Sequence, residues 1–196
     1  MCPTDSRNAL RASICLAILG LSTTPVLAHA GVGAYADSFS SGFFHPISGI
    51  DHLVAMISVG LWASVGGGPR VWAWPMAFVG AMITGGILGF LGVTLPAVEP
   101  VIAASVVVLG LVVTSALNAP VWIGAAVVAG MAVFHGHAHG TETLSEEWLW
   151  YAFGFIAATF ALHGSGIALV RVLQGGLPVR LLGGATAALG VVLLMH

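Results

Sequence analysis

Six apolar stretches follow one another along the chain, at about residues 43–66, 71–93, 98–117, 121–140, 148–170 and 178–195. Each is close to the ~20 apolar residues that an α-helix needs to cross a bilayer. The breaks between them carry turn chemistry: Gly66-Gly67-Gly68-Pro69, Leu95-Pro96, Asn118-Ala119-Pro120 and Gly175-Gly176-Leu177-Pro178. No long linker interrupts the series. The pattern predicts an all-α, polytopic membrane protein, a single bundle of six transmembrane helices spanning residues 31–196. Ala81, Gly85 and Gly89 form a row of small residues in the second stretch, and Gly154 and Ala158 another in the fifth. Such rows let helices pack closely, and the alternative is that they line a narrow path.

The first thirty residues read differently. Arg7 and Arg11 precede a short apolar core at residues 14–21, and Val26-Leu27-Ala28 and Ala28-His29-Ala30 each offer a small-residue cleavage site. This is the layout of a secretory signal peptide over residues 1–30. The alternative, a seventh span, is weakened by Ser22, Thr23, Thr24 and Pro25. Cleavage removes Cys2 and Cys15 and leaves no cysteine for disulfides or thiolate ligands. It also places the mature N-terminus outside. With six spans, Arg70, Arg171 and Arg180 then face the cytoplasm, as the positive-inside rule expects. Asp37, Glu99, Glu142, Glu146 and Glu147 fall on or near the outer side, and the C-terminus is outside too.

Composition supports the membrane reading. Charged residues make up 6% of the chain, against the roughly 25% of a soluble domain, so a water-facing surface cannot be covered. Net charge is −2, which gives no basic surface for nucleic acid. Lysine is absent, which excludes an ATP-binding G-x-x-x-x-G-K-[ST] loop and Schiff-base chemistry. Trp72, Trp74, Trp148, Trp150 and Tyr151 lie near stretch ends and read as interfacial belts.

Two histidine-rich motifs stand out against this background. One is His45-Pro46-Ile47-Ser48-Gly49-Ile50-Asp51-His52, and the other Phe134-His135-Gly136-His137-Ala138-His139-Gly140-Thr141-Glu142. Ionisable groups at membrane depth are costly and usually mark a site or pathway. Imidazole and carboxylate are ligands for divalent transition metals. The topology puts both motifs at the outer ends of their spans, which favours metal handling over polar packing. His135 and His139 sit about 40° and about 6 Å apart on a helix and can share one ion. His137 points nearly the opposite way, although Gly136 and Gly140 weaken the helix there. His45 and His52 are about 10.5 Å apart on a continuous helix. Either Pro46 starts the helix and His45 folds inward from the loop, or the two are successive stations. Asp51 can ligate, accept a proton from His52, or attract a cation. His163, deeper in the fifth span, is either an inner station or an interhelical hydrogen-bonding group. Glu99 is either a mouth charge or an interfacial residue. Glu146, Glu147 and His196 read as solvated surface groups, and His29 survives only if cleavage follows Ala28.

These residues resemble the HupE/UreJ family of bacterial nickel permeases. His45, Asp51 and His52 match its H-x5-D-H pattern. Phe134, His135, Gly136, Ala138, His139, Gly140 and Glu142 match its F-H-G-x-A-H-G-x-E pattern, in which His137 falls at a variable position. The likeness extends to Leu95-Pro96-Ala97-Val98-Glu99, to Ile102-Ala103-Ala104-Ser105, and to Ala158-Thr159 and Leu162-His163. It implies uptake of Ni2+, or of Co2+ as the alternative, across the inner membrane for hydrogenase or urease maturation. It implies a metal-handling role for His45, Glu99, Asp51, His52, His135, His139, Glu142 and His163. The metal is cargo and no cofactor is tightly bound. The other partner is the lipid bilayer, and a homo-oligomer is compatible with the sequence. Two rival readings are a membrane zinc metallohydrolase and a metal-binding accessory subunit that does not conduct.

Overall fold

The computed structural model describes residues 38–142 and 148–195. The expected signal peptide, with Cys2, Cys15 and His29, lies outside the described residues, as do Asp37, Glu146, Glu147 and His196. The described residues form seven helices and no strand: α1 Phe39–Ser48, α2 Ile50–Gly66, α3 Arg70–Phe90, α4 Val98–Thr114, α5 Val121–Glu142, α6 Trp148–Leu173 and α7 Gly176–Leu194.

Four of these, α3, α5, α6 and α7, are long and apolar enough to cross a membrane. The first predicted span is two helices, α1 and α2, bent by 85° at Gly49, and counting them as one span makes five. The remaining predicted span yields the apolar but shorter α4, of 17 residues. Its length is about 25 Å at 1.5 Å per residue, somewhat less than the ~30 Å hydrocarbon core. Large apolar side chains cover the outside, among them Trp72, Trp122, Leu177 and Leu181. The chain is thus a multi-pass helical membrane protein, apolar inside and out.

The bundle has two distinct ends. At one, Arg70 donates from Nε to the Ala119 carbonyl (2.8 Å) and from a terminal nitrogen to the Gly66 carbonyl (3.0 Å). Arg180 Nε donates to the Thr114 carbonyl (2.7 Å). Trp62 and Trp74 donate their indole N–H groups to the carbonyls of Leu117 and Val121, each at 2.8 Å. These bonds tie the α2–α3, α4–α5 and α6–α7 connections together, and those to Gly66 and Thr114 satisfy helix-end carbonyls that would otherwise be orphaned. Trp74 is fully buried, so it belongs to the core and not to an interfacial belt, while the exposed Trp72 fits the belt. The other end gathers the α1–α2 break, the end of α5 and the start of α6.

Glycines set the helix contacts. A Cβ at Gly85 of α3 would strike the Val133 carbonyl of α5, and one at Gly136 of α5 would strike the Met82 carbonyl of α3. The pair is therefore packed backbone to backbone, as the small-residue row predicts. Gly60 of α2 and Gly166 of α6 do the same, meeting the carbonyls of His163 and Ile57. Gly154 brings α6 against Phe39 of α1. By contrast, a Cβ at Gly130 meets nothing within 4 Å. Gly136→Ala should therefore destabilise by at least the ~1–3 kcal/mol of an overpacked core. Gly130→Ala should stay within about 0.5 kcal/mol of wild type. Thermal unfolding in detergent reads both; equal midpoints for the two variants would contradict this packing.

Candidate metal site

The break at Gly49 decides the geometry of the site. Pro46 does not start a helix; it lies inside α1, and the chain turns three residues later. Gly49 itself has an extended backbone (φ −88°, ψ 115°) and ends α1 with its N–H bonded to the His45 carbonyl. The 85° bend removes the separation that a continuous helix would impose between His45 and His52. Both rings now face the same imidazole: His139 lies 4.6 Å from His45 and 4.5 Å from His52, centroid to centroid. His52 in turn lies 4.9 Å from His135. The order His45, His139, His52, His135 forms a continuous run of four imidazoles from α1, α2 and α5.

The run sits in an apolar and aromatic housing. Tyr151 and Phe155 of α6 stand against His45 at 5.7 and 6.2 Å, and Phe155 lies 4.4 Å from His139. Tyr151 is buried, so it is part of this housing and not of the interfacial belt. His52, His135 and His139 are all buried. As the side chains stand, no group of three or more His, Cys, Asp or Glu among the described residues is closed around a single metal position. The arrangement is a chain of neighbouring imidazoles, not a finished polyhedron.

Two neighbours fix which nitrogens carry lone pairs. Asp51 Oδ1 accepts from His52 Nδ1 at 2.9 Å and from the His52 backbone N–H at 2.8 Å. With its proton held on Nδ1, His52 presents a lone pair at Nε2, which is buried and makes no hydrogen bond among the described residues. Ser105 of α4 donates its single proton to the Ile102 carbonyl at 2.7 Å. Its oxygen is then left to accept from His135 Nε2 at 2.9 Å. That leaves the lone pair of His135 on Nδ1, also buried and without a hydrogen bond. A carboxylate or hydroxyl that holds one ring N–H is the usual support of a metal-binding histidine. Of the three roles open to Asp51, accepting the His52 proton is the one its contacts match.

Not every singled-out residue joins the run. His137 points away from the run and donates from Nε2 to the Val93 carbonyl at 2.6 Å. Glu142 is the last residue of α5, and Glu99 is exposed in the first turn of α4. His163 is buried on α6, edge-on to Phe78 at 5.1 Å, and neither ring nitrogen makes a hydrogen bond among the described residues. The interhelical bond that a packing role calls for is not there. Phe78 also lies 5.8 Å from His135, so one phenyl ring separates the cluster from His163. Phe78 does not stand out in the sequence, because phenylalanine is ordinary in apolar helices, and Ser105 does so only within the family-like stretch Ile102-Ala103-Ala104-Ser105, with no role attached.

Fold and site together define a multi-pass helical membrane protein with a histidine-rich centre at one end of its bundle. The chain is 47% identical over 176 residues to Protein HupE of Rhizobium leguminosarum bv. viciae, a match covering 87% of this chain and 92% of that protein. The profile of the family described as HupE / UreJ protein matches residues 16–193. The chain belongs to the HupE/UreJ family. No solved structure matches it significantly.

Removing the Ser105 hydroxyl should release the tautomer of His135. In Ser105→Ala, Ni2+ binding to the purified protein should weaken by about 10–100-fold, the usual scale for losing such a support. Titration calorimetry gives the affinity, and ring 15N shifts of His135 report the tautomer. Unchanged values of both would mean the serine orients nothing.

Proposed function

We propose that this protein is a permease that carries Ni2+ across the bacterial inner membrane into the cytoplasm, for hydrogenase or urease maturation. The observation that carries the reading is the run of four imidazoles, two of them with lone pairs set by Asp51 and Ser105. Family membership supports nickel as the cargo, and Co2+ is the alternative ion. In this reading α1 and α2 count as one pass, α4 is a full pass, and six passes follow a cleaved signal with both mature termini periplasmic. The arginine end faces the cytoplasm and the histidine end the periplasm, in line with the positive-inside rule. The protein is a transporter and not an enzyme.

A hydrated divalent ion reaches the histidine end, where Asp51, Glu99 and Glu142 contribute negative charge. Imidazole nitrogens replace part of its water shell. His45, His139 and His52 pass the ion along the run to His135, and His163 receives it deeper in the bundle. Neighbouring rings 4.5–4.9 Å apart allow such a transfer between overlapping ligand sets. An open set also suits transport, because a permeating ion must leave as readily as it enters.

Uptake of 63Ni by cells expressing wild type, His52→Ala or His139→Ala tests the reading. Both variants should lose most uptake while inserting normally; variants that transport like wild type would end the permease reading. Purified protein that keeps one zinc through dialysis and shows no flux would favour the hydrolase instead. Uptake should also fall on acidifying the outer medium, because a protonated imidazole has no lone pair for a metal. Uptake that stays unchanged down to the lowest outer pH at which the protein remains folded would count against histidine capture.

A further inference from the structure

Below the histidine run, two thioethers and a hydroxyl meet in the centre of the bundle. Thr159 Oγ1 of α6 lies 3.4 Å from Met56 Sδ of α2 and 3.8 Å from Met82 Sδ of α3, and it donates to the Phe155 carbonyl at 2.9 Å. All three side chains are buried, Met56 and Thr159 completely. We propose that Met56, Met82 and Thr159 form a second metal station, one that takes a soft or borderline cation between the outer histidines and His163.

Proton accounting supports this. A hydroxyl has one proton, and here it faces three acceptors. The shortest contact, to the Phe155 carbonyl, takes it. The Thr159 oxygen and two sulfurs then face one another with no further proton among them. Such a group offers a cation three neutral donor atoms with no competing proton. Methionine is by default a flexible filler of cores. Filling space, however, requires neither two sulfurs from different helices nor a hydroxyl placed against both.

Position is the second argument. Met56 is four residues after His52 on α2, and Thr159 is four residues before His163 on α6. Each step is about one helical turn, about 6 Å along the axis. The group therefore sits one turn inward of His52 and one turn before His163, with Met82 beside the His135–Gly136 step of α5. A half-open apolar groove of about 230 Å3 between α3, α5 and α6 has both His139 and Met82 in its wall, though neither Met56 nor Thr159 lines it. Thioethers are neutral, soft ligands that discriminate against Mg2+ and Ca2+. With a hydroxyl as the third donor they bind weakly, as a transfer station requires. The direction of traffic assumed here rests on the permease reading.

Selenium absorption spectroscopy tests the site without transport. The purified full-length protein is labelled with selenomethionine and given one equivalent of Ag+, a soft probe. The expected spectrum contains a selenium–silver contact that survives when the other methionines, including Met76, Met131 and Met195, are replaced by leucine. It disappears in Met56→Leu/Met82→Leu, a near volume-conserving change. A wild-type spectrum without that contact, or one that persists in the double variant, overturns the proposal. In proteoliposomes the double variant should carry Ni2+ about tenfold more slowly or worse, the scale on which a lost metal contact shows. Wild-type flux in the double variant overturns it as well. No flux from wild type together with a selenium–silver contact would sink the permease reading and leave the station. Flux without the contact would do the reverse.

Discussion

The turn at Gly49 is the constraint from which the histidine end follows. An apolar stretch of membrane length would ordinarily continue as one helix, and its side chains seven residues apart would lie about 10.5 Å from each other along the axis. By stopping α1 at Ser48 and restarting α2 at Ile50, the chain turns through 85° and brings both His45 and His52 against one ring, His139. The same turn leaves Asp51 in the first turn of α2, where its carboxylate can bind both the backbone and the ring of His52. Without the break, the outer histidine would have no counterpart on α5.

The helices that hold this arrangement are themselves held by missing side chains. α3 and α5 approach so closely that carbonyls occupy the space where a Cβ would be, at Gly85, Gly136 and Gly140. Because Gly136 directly follows His135, the closest part of that contact is next to the site. Between helices in lipid, van der Waals packing and a few internal hydrogen bonds replace the hydrophobic drive of water-soluble cores. Glycine contact is thus what keeps the ring of His135 within reach of Ser105 on one side and His52 on the other.

The helical, membrane-embedded character was legible in the sequence because it rests on composition and on the length of apolar runs, which need no partner. That His135 and His139 share one side of α5, where both meet His52, and that His137 points away, were legible because helix geometry is local. A broken helix is compatible with the sequence, but the local signal for it is Pro46, whereas the chain turns at Gly49, one of many glycines that the sequence alone does not tell apart. Met56 and Met82 could not be singled out, and Ser105 stood only within a family-like stretch, with no partner assigned. Their importance lies in which side chain from another helix they face, and no local pattern records that. Trp74 and Tyr151 were assigned to the interface for the same reason: position near a span end is visible in sequence, whereas the carbonyl or imidazole that buries the ring is not.

The arginines that tie the connections at the far end have an electrostatic consequence. Arg70 and Arg180 spend their donors on neutral carbonyls of Gly66, Ala119 and Thr114, so their charges are anchored but not cancelled. None of the described acidic residues lies at that end: Asp51, Glu99 and Glu142 all belong to the opposite one. The bundle therefore carries a fixed polarity along its axis, negative where the imidazoles are and positive where the helices are tied. Such a field makes the imidazole end the favourable place for a cation and the arginine end the unfavourable one, whatever the ion.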